Sequence, residues 1–330
     1  MGPGSLVHPL QYHYLHDSVP ASQGAVREGW IGTQPPERQT MSEIVKVENL
    51  SFRYKRGTTP ALTDINLSVR AGEFVGITGA AGAGKTTLLS CINGVVPHYY
   101  SGDLQGQVTV NGLDIATSTF RDLASHVGTV FEDPDFQMVS ISVEEEVAFG
   151  PENLGIPPDE IEVRIQDALQ KTRISDLRER TISTLSGGQK QRVAISAVLS
   201  MLPRVLLLDE PTSELDPIGT HEVFSALREL NRQVGITVVM VSQKMERLVE
   251  NADRILVLSE GRLILGGPPR EVCLQHDLLE QVGARVPQVA EFMISLLSRL
   301  NRSRQRDLMP LTVEGAVPML REILDKGGVA

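Results

Sequence analysis

The sequence predicts an α/β fold in which helices pack against a largely parallel sheet. The runs 204–210 (RVLLLDE) and 236–242 (ITVVMVS) are continuously apolar up to their polar ends. Continuous runs of Leu and β-branched residues are typical of strands buried on both faces of a parallel sheet. A third run, 73–79, leads into the glycine-rich segment 79–87 (GAAGAGKTT), and a helical pattern follows at 85–95. This order of strand, glycine-rich loop and helix is the context of a phosphate-binding loop.

The rest of the chain divides into regions of different character. Residues 1–41 are rich in Pro, Gly, Gln, Ser and His without a regular period, which predicts a disordered extension ahead of a natural start near Met41. Residues 42–269 form the predicted α/β domain, with a helical subdomain at about 135–185. Residues 270–330 are predicted to be a helical appendage.

Short apolar segments and turn residues locate the remaining elements. Further strands are predicted at 44–52, 61–69, 107–110 and 126–131. The segment 254–265 has Ser-Glu-Gly in its middle and predicts a hairpin. Helices are predicted at 190–202, 289–300 and 313–324. Within the helical subdomain, Gly150-Pro151 and Pro157-Pro158 are predicted to break the helices.

Composition excludes several classes of function. The formal charge is −10, from 31 basic and 41 acidic side chains, which argues against broad nucleic-acid binding. Cys91 and Cys273 are isolated from each other and from His, so no zinc site or disulfide framework follows. No run approaches the roughly 18 to 20 apolar residues that span a bilayer. Any work at a membrane is therefore expected to be that of a peripheral partner.

The glycine-rich segment matches the full phosphate-loop pattern and predicts binding of a nucleoside triphosphate. Backbone N–H groups and the helix N-terminus attract phosphate, and Gly79, Gly82 and Gly84 are expected to let the backbone close around its oxygens. Lys85 is expected to reach the β- and γ-phosphates, and the Thr86 hydroxyl to ligate Mg²⁺. The predicted nucleotide-binding set here is Gly79, Ala80, Ala81, Gly82, Ala83, Gly84, Lys85, Thr86 and Thr87.

Two further segments are expected to belong to the same chemistry. Asp209 ends the run 204–210 and can hold Mg²⁺, while Glu210 can polarise a water for in-line attack on the γ-phosphate. We expect their strand to lie beside the phosphate-loop strand. A second anion site is predicted where small residues precede the helix 190–202. Its residues are Ser186, Gly187, Gly188 and Gln189.

The segments GAAGAGKT, LSGGQKQR and LLLDEPTSELD, with their spacing, resemble an ABC-transporter ATPase. The resemblance implies a P-loop NTPase core in a head-to-tail dimer, in which residues 186–189 contact the γ-phosphate of ATP held by the other subunit. Residues 213–216 match the loop that crosses this dimer, so that Asp216 would lie at the nucleotide. Tyr54 matches the aromatic residue that stacks on adenine, a contact worth about 1–3 kcal/mol.

A narrower resemblance concerns the segments 131–137 (FEDPDFQ) and 142–157 (SVEEEVAFGPENLGIP). They are similar to the A-subunit of energy-coupling factor (ECF) transporters and to cobalt/nickel importers, and the tail resembles that group's dimerising helices. The resemblance implies ATP-driven uptake of a vitamin or transition-metal ion at the cytoplasmic face of the membrane. The partners would be a second ATPase subunit, a transmembrane T-subunit that docks around 133–150, and a substrate-binding S-subunit.

Two positions depart from the family pattern. Glu132 stands where the family has the Q-loop glutamine; a carboxylate could ligate Mg²⁺ but would repel the γ-phosphate. Gln243 stands at the switch histidine, and Lys244 follows it where the family has aspartate. A glutamine can donate a hydrogen bond to phosphate but cannot carry charge. The candidate catalytic residues are Glu210, Gln243 and Glu132, and the candidate Mg²⁺ ligands are Thr86, Asp209 and Glu132.

These departures leave several functions open. The chain could be a hydrolysing homodimer in which Glu132 and Gln243 compensate each other. It could instead contribute a slow site to a heterodimer, or act as a regulatory subunit that binds ATP and hydrolyses little. A soluble ABC protein without a transporter usually carries two cassettes or a long coiled coil, and the sequence shows neither feature.

Overall fold

The computed structural model describes residues 42–213, 215–300 and 310–327. The predicted extension 1–41 lies outside these residues. The strands are β1 (Glu43–Tyr54), β2 (Leu62–Arg70), β3 (Phe74–Thr78), β4 (Gly102–Val110), β5 (Leu113–Asp114), β6 (Val127–Val130), β7 (Val205–Asp209), β8 (Thr237–Val241), β9 (Arg254–Ser259) and β10 (Arg262–Gly267). The helices are α1 (Lys85–Ile92), α2 (Val95–His98), α3 (Phe120–Ala124), α4 (Val143–Leu154), α5 (Pro158–Lys171), α6 (Gly187–Leu199), α7 (Pro217–Glu229), α8 (Met245–Asn251), α9 (Pro269–Leu274), α10 (His276–Gln281), α11 (Gln288–Arg299) and α12 (Val313–Gly327).

Two sheets enclose one continuous core. The first is antiparallel with the strand order β2-β1-β4-β5, and the second has the order β10-β9-β3-β8-β7-β6. In the second sheet the strands from β9 to β6 run parallel, and β10 closes the predicted hairpin with β9. Phe52 of β1, Leu88 of α1 and Val239 of β8 all belong to the same buried cluster. The predicted α/β fold is confirmed.

The prediction that the strand ending in Asp209 (β7) lies beside the phosphate-loop strand (β3) is wrong. Strand β8 lies between β3 and β7, because Val239 pairs with Val75 on one side and with Leu207 on the other. The continuous apolar run of a strand reports burial but carries no information on which strand is its neighbour. Asp209 still reaches the loop because β3, β8 and β7 are parallel and end at the same edge of the sheet.

Helix α4 continues through Pro151, where the sequence predicts a break. A proline has no N–H, so the carbonyl of Val147, four residues earlier, loses its helical partner. The Ser200 hydroxyl donates to that carbonyl at 2.8 Å. This bond satisfies the carbonyl and ties α4 to the end of α6, and the helix ends only at Gly155, in a left-handed conformation with φ 76°.

Three other boundaries differ from prediction. Helix α1 ends at Ile92, and a left-handed Gly94 with φ 79° separates it from α2. Strand β4 begins at Gly102 because its first residues pair with the end of β1. Helix α6 begins at Gly187 rather than at 190, because Ser186 and Gln189 form a capping box that starts the helix earlier.

The C-terminal region is helical over the described residues, with α9 to α11 in 269–299 and α12 at Val313–Gly327. Residues 301–309 and 328–330 lie outside the description. No described helix combines the length and apolar character that crossing a bilayer requires.

Candidate nucleotide-binding site

The phosphate loop connects β3 to α1, and its glycines are required by the protein around it. A Cβ on Gly79 would lie 2.1 Å from the Leu258 carbonyl oxygen, and one on Gly84 would lie 2.7 Å from the Ala61 carbonyl oxygen. The backbone carbonyls of Leu258 in β9 and of Ala61, just before β2, therefore already require glycine at these two positions, and the expected close approach of phosphate stays a prediction. At Gly82, in contrast to these two loop glycines, a Cβ would meet nothing within 4 Å, and there a positive φ of 76° favours glycine.

Lys85 folds back onto its own loop. Its Nζ donates to the carbonyl oxygens of Gly79 and Ala80, at 2.9 Å each. Burial lowers the pKa of Lys85, and the charges of Glu210 and Asp209 oppose that shift. The lysine thus lies beside two carboxylates but is hydrogen-bonded to neutral carbonyls, which leaves its charge available to an anion seated in the loop.

Asp209, Glu210 and Glu132 are close enough for their charges to act on one another. Burial raises the pKa of Asp209, and the charge of Glu132 raises it further, whereas the Thr86 hydroxyl and Lys85 lower it. Burial also raises the pKa of Glu210, with Asp209 and Glu132 adding to the shift and the Gln243 backbone N–H and Lys85 opposing it. The three acidic residues predicted for catalysis and Mg²⁺ binding are therefore brought together, and they repel each other.

Glu210 is both strained and short of a partner. Its φ of 46° is unusual for a residue with a side chain. Its backbone N–H donates to the Val241 carbonyl at 3.0 Å, which fixes the turn after β7. Its Oε1 is buried and has no hydrogen-bond partner. A buried carboxylate oxygen without a partner is costly unless a water or ligand completes it.

These residues fit Mg²⁺ bound together with a phosphate. The Thr86 hydroxyl forms a hydrogen bond with Asp209. These two side chains are the oxygen donors that the sequence predicts for the ion. Within 42–213, 215–300 and 310–327, no three His, Cys, Asp or Glu side chains form a cluster that could hold a metal alone. Mg²⁺ at Thr86 and Asp209 would therefore need phosphate and water oxygens to complete its octahedral shell.

Tyr54 lies beside the phosphate-loop helix. Its hydroxyl and the Thr87 hydroxyl oxygen are 3.1 Å apart. Its ring packs against Phe52 at a centroid distance of 4.8 Å and against Tyr100 at 6.2 Å, both at steep angles. The predicted aromatic residue is therefore at the loop, although it also contacts the core through Phe52.

The start of α6 lies away from the phosphate loop. Ser186 Oγ accepts from the Gln189 N–H at 3.3 Å, and Gln189 Oε1 accepts from the Ser186 N–H at 2.9 Å. Gly187 borders a cavity of about 240 Å³. The residues around this cavity come from three segments, and none belongs to the phosphate loop: Glu132, Asp133, Pro134, Asp135, Gly187, Lys190, Gln191, Pro211 and Leu215.

Gln243 and Asp216 lie at the ends of neighbouring loops. The Gln243 side chain is exposed, and only its backbone N–H acts on Glu210. Asp216 Oδ1 accepts from the Gly219 N–H at 2.6 Å and caps α7. This local bond accounts for the aspartate within one chain, and its role in a dimer stays a prediction. Glu214 lies outside the described residues.

Sequence reasoning missed several contacts that shape the site. Lys190 forms an ion pair with Asp135 at 2.6 Å, and Gln191 Nε2 donates to the Phe131 carbonyl at 3.4 Å. Lys244 Nζ donates to the Thr212 carbonyl at 2.7 Å. The residues of these pairs are between 32 and 60 positions apart. No local sequence pattern predicts these three contacts, although Lys244 is recognisable in the sequence as a departure from the family pattern.

Comparison with known proteins finds relatives that match about three quarters of the chain. The family model for the ABC transporter matches residues 62–213. A protein of Pyrococcus abyssi named as an ABC transporter ATP-binding protein is 45% identical over 244 residues, covering 74% of this chain and 87% of that protein. The energy-coupling factor transporter ATP-binding protein EcfA1 of Caldanaerobacter subterraneus is 42% identical over 255 residues, covering 76% of this chain and 90% of the relative.

A solved structure shares the fold. CbiO1 of Clostridium perfringens, part of the ABC transporter complex cbiONQ, is 38% identical with a TM-score of 0.66, covering 76% of this chain and 98% of that one. Several other relatives are longer proteins, and the chain spans about half of their length, from 42% to 50%.

Proposed function

The chain belongs to the ABC transporter family as an ATP-binding subunit, and we propose that it hydrolyses ATP in an importer of the energy-coupling factor type. The observation that carries this proposal is the partnerless Oε1 of Glu210, buried beside Lys85 and Asp209 at the end of the sheet. That oxygen can accept a hydrogen bond from a water and hold it for in-line attack on a phosphate in the loop. Its raised pKa makes it a better base than a free glutamate.

Each neighbouring side chain has a distinct task in this chemistry. Lys85 exchanges its two carbonyl partners for phosphate oxygens, and Tyr54 supports the adenine. Thr86 and Asp209 hold Mg²⁺, which neutralises phosphate charge when bound. Gln243 is proposed to donate one amide hydrogen bond to the γ-phosphate, although it cannot supply the positive charge of a histidine.

A second subunit is proposed to complete the site. The start of α6 is exposed at Ser186 and Gly187 and presents backbone N–H groups outward. Since the cavity beside it contains no phosphate-loop residue, the phosphate it serves would come from another ATPase subunit. That subunit is a second copy or a paralogue. The C-terminal region 270–330, with exposed Phe292 on α11 and Leu324 on α12, is proposed to strengthen this dimer.

A membrane partner is proposed to dock around the segment 133–150. Phe136, Val139 and Ile141 are exposed apolar residues in the segment between β6 and α4, and Phe136 is 90% exposed. Exposed apolar surface of this kind is typical of an interaction site. We propose that the T-subunit binds this surface and that the chain works at the cytoplasmic face of the membrane. An S-subunit would select the cargo, a vitamin or a transition-metal ion.

A second candidate function is that of a slow site in a heterodimer. It is favoured by the charge of Glu132, which acts on both Asp209 and Glu210 where the family has a neutral glutamine. Three carboxylates around one phosphate weaken the field that stabilises a transition state. In this case the start of α6 would serve a competent site on a paralogous subunit.

Turnover of Mg-ATP by the purified protein separates the two. Glu210→Gln should abolish turnover while ATP binding persists, because the glutamine keeps the shape of the site but is not a base. Turnover in the wild type that is unchanged by Glu210→Gln would refute the assignment of the base. Tight ATP binding with little turnover, raised severalfold by Gln243→His, would identify the slow site instead.

A further inference from the structure

Two adjacent tyrosines after α2 point to different neighbours. Tyr100 faces Tyr54, with ring centroids 6.2 Å apart and ring planes at 74°. Tyr99 faces Phe120, with centroids 5.0 Å apart and planes at 82°. Both rings are largely in solvent, at 55% exposure for Tyr100 and 66% for Tyr99. Only Tyr100 therefore extends the aromatic surface that begins at the proposed nucleotide site.

The backbone holds Tyr100 at this place from both sides. Its N–H donates to the Val95 carbonyl at 3.1 Å. The next residue, Ser101, accepts from the Lys55 N–H at 3.1 Å, and Gly102 pairs with Tyr54 in the β1–β4 ladder. Because the residues flanking Tyr100 are bonded to those flanking Tyr54, the two rings stay neighbours without needing a strong contact between them.

The two aromatic neighbours of Tyr54 differ in what surrounds them. Phe52 is 1% exposed and belongs to the core, so it closes one side of the Tyr54 ring. Tyr100 is 55% exposed and contacts the Tyr54 ring from the solvent. A base stacked parallel to Tyr54 would meet Tyr100 at the same steep angle, which is the edge-to-face arrangement that aromatic rings favour.

We propose that Tyr100 is a second wall of the nucleobase site, contacting the edge of a base that stacks on Tyr54. This role rests on the proposed nucleotide function and adds to it a residue that recognises the base rather than the phosphates. Tyr100 acts through its ring, since no hydrogen bond of its hydroxyl is needed for the contact. An edge-to-face contact of this kind corresponds to about a 3- to 10-fold change in affinity.

Tyr99 provides a matched control. It is the same residue type, one position away and similarly exposed, but its ring packs on Phe120 and makes no contact with Tyr54. Replacement of either tyrosine removes one exposed ring from the same turn. Any general effect on folding should therefore be shared by both variants, whereas an effect on the base should appear only at Tyr100.

The test is calorimetric titration of the full chain with ATP and, separately, with inorganic triphosphate, both with Mg²⁺. Tyr100→Ala should weaken ATP binding about 3- to 10-fold and leave triphosphate binding unchanged. Tyr100→Phe and Tyr99→Ala should bind ATP like the wild type. Thermal unfolding of all variants checks that each is folded, and Tyr100→Leu, which removes the ring but keeps apolar bulk, replaces Tyr100→Ala where that variant is unstable.

Three results would overturn the role of Tyr100. Equal ATP affinity in Tyr100→Ala and Tyr99→Ala would show that the ring does not contact the base. Tighter ATP binding in Tyr100→Ala would show that Tyr100 covers Tyr54 and must be displaced. Equal loss of ATP and triphosphate binding would place the effect at the phosphates. A wild type that binds neither ligand would instead refute the proposed nucleotide function itself.

Discussion

Lys244 donates from its Nζ to the Thr212 carbonyl oxygen at 2.7 Å, and this bond joins the loop after β8 to the loop after β7. The first loop carries Gln243 and the second follows Glu210. Lys244 N–H is itself anchored on the Ser242 hydroxyl at 3.1 Å. The loop that carries Glu210 and the loop whose Gln243 N–H bonds to Glu210 are therefore joined directly within one chain.

Lys244→Met should loosen these loops while keeping most of the apolar stem of the side chain. We expect a loss of about 1–2 kcal/mol in the free energy of unfolding, because a hydrogen bond from a charged donor disappears. We also expect a lower rate of turnover per bound ATP, with little change in ATP affinity. Urea unfolding and steady-state ATPase rates measure the two effects. Lys46→Met, at a lysine paired with Glu48 on the surface of β1, is the control and should change neither.

Glu132→Gln removes one of three negative charges at the site and restores the family's residue. At an effective dielectric near 20, a unit charge about 8 Å away contributes roughly 2 kcal/mol, so ATP affinity without Mg²⁺ should increase about 30-fold. With Mg²⁺ the gain should shrink if Glu132 ligates the ion. Titrations of both proteins with ATP, in EDTA and in Mg²⁺, measure the affinity gain under each condition. Asp133→Asn, one position away, should show no such gain, and a gain of equal size there would assign the effect to overall charge.

Glu210→Gln should stabilise the protein in the absence of nucleotide at neutral pH. Burial raises the pKa of Glu210 in the fold, so the folded state holds this proton more tightly than the unfolded state. Between the ordinary glutamate pKa of about 4.3 and the raised folded value, stability therefore falls as pH rises, and it stays lower at pH 7. Removing the carboxylate removes that loss.

The gain from Glu210→Gln should shrink toward zero as the pH falls below the ordinary glutamate pKa of about 4.3, because the unfolded state then also becomes protonated. Thermal unfolding from pH 4 to pH 8 measures this profile. Glu179→Gln, at an exposed position, is the control and should show a flat difference across the range. A destabilised Glu210→Gln at pH 7 would contradict the assigned direction of the shift.

Gly128→Ala should disturb the packing between β6 and α6. A Cβ at this position would lie 2.0 Å from Val198 Cγ1, and both residues are in the interior. Overpacking of this kind costs about 1–3 kcal/mol. Denaturant unfolding measures the loss. The double variant Gly128→Ala/Val198→Ala should be less destabilised than the sum of the single variants, because the shorter side chain makes room.

Local signals in the sequence were sufficient for the phosphate loop and most of the strands. The segment 73–87 carries its own strand, turn and helix start, so each of these follows from neighbouring residues. The acidic pair Asp209-Glu210 likewise marks the end of its strand. These features are confirmed because the residues that determine them are close together in the sequence.

Features that depend on distant residues escaped prediction. The position of β8 between β3 and β7 depends on pairing among residues more than 30 positions apart. The helix through Pro151 depends on the hydroxyl of Ser200, and the place of Tyr100 depends on the β1–β4 register. In each case a local rule is correct in isolation, and a contact made by folding changes its outcome.

An ion pair fastens the start of one helix to a turn that faces outward. Lys190 of α6 is bonded to Asp135, the neighbour of Phe136, and Gln191 on the next position holds the Phe131 carbonyl. These two contacts fix the position of the turn relative to the start of the helix. We therefore expect that a displacement of Phe136 would be transmitted to Ser186 through the Lys190–Asp135 pair, by a route that does not include the phosphate loop.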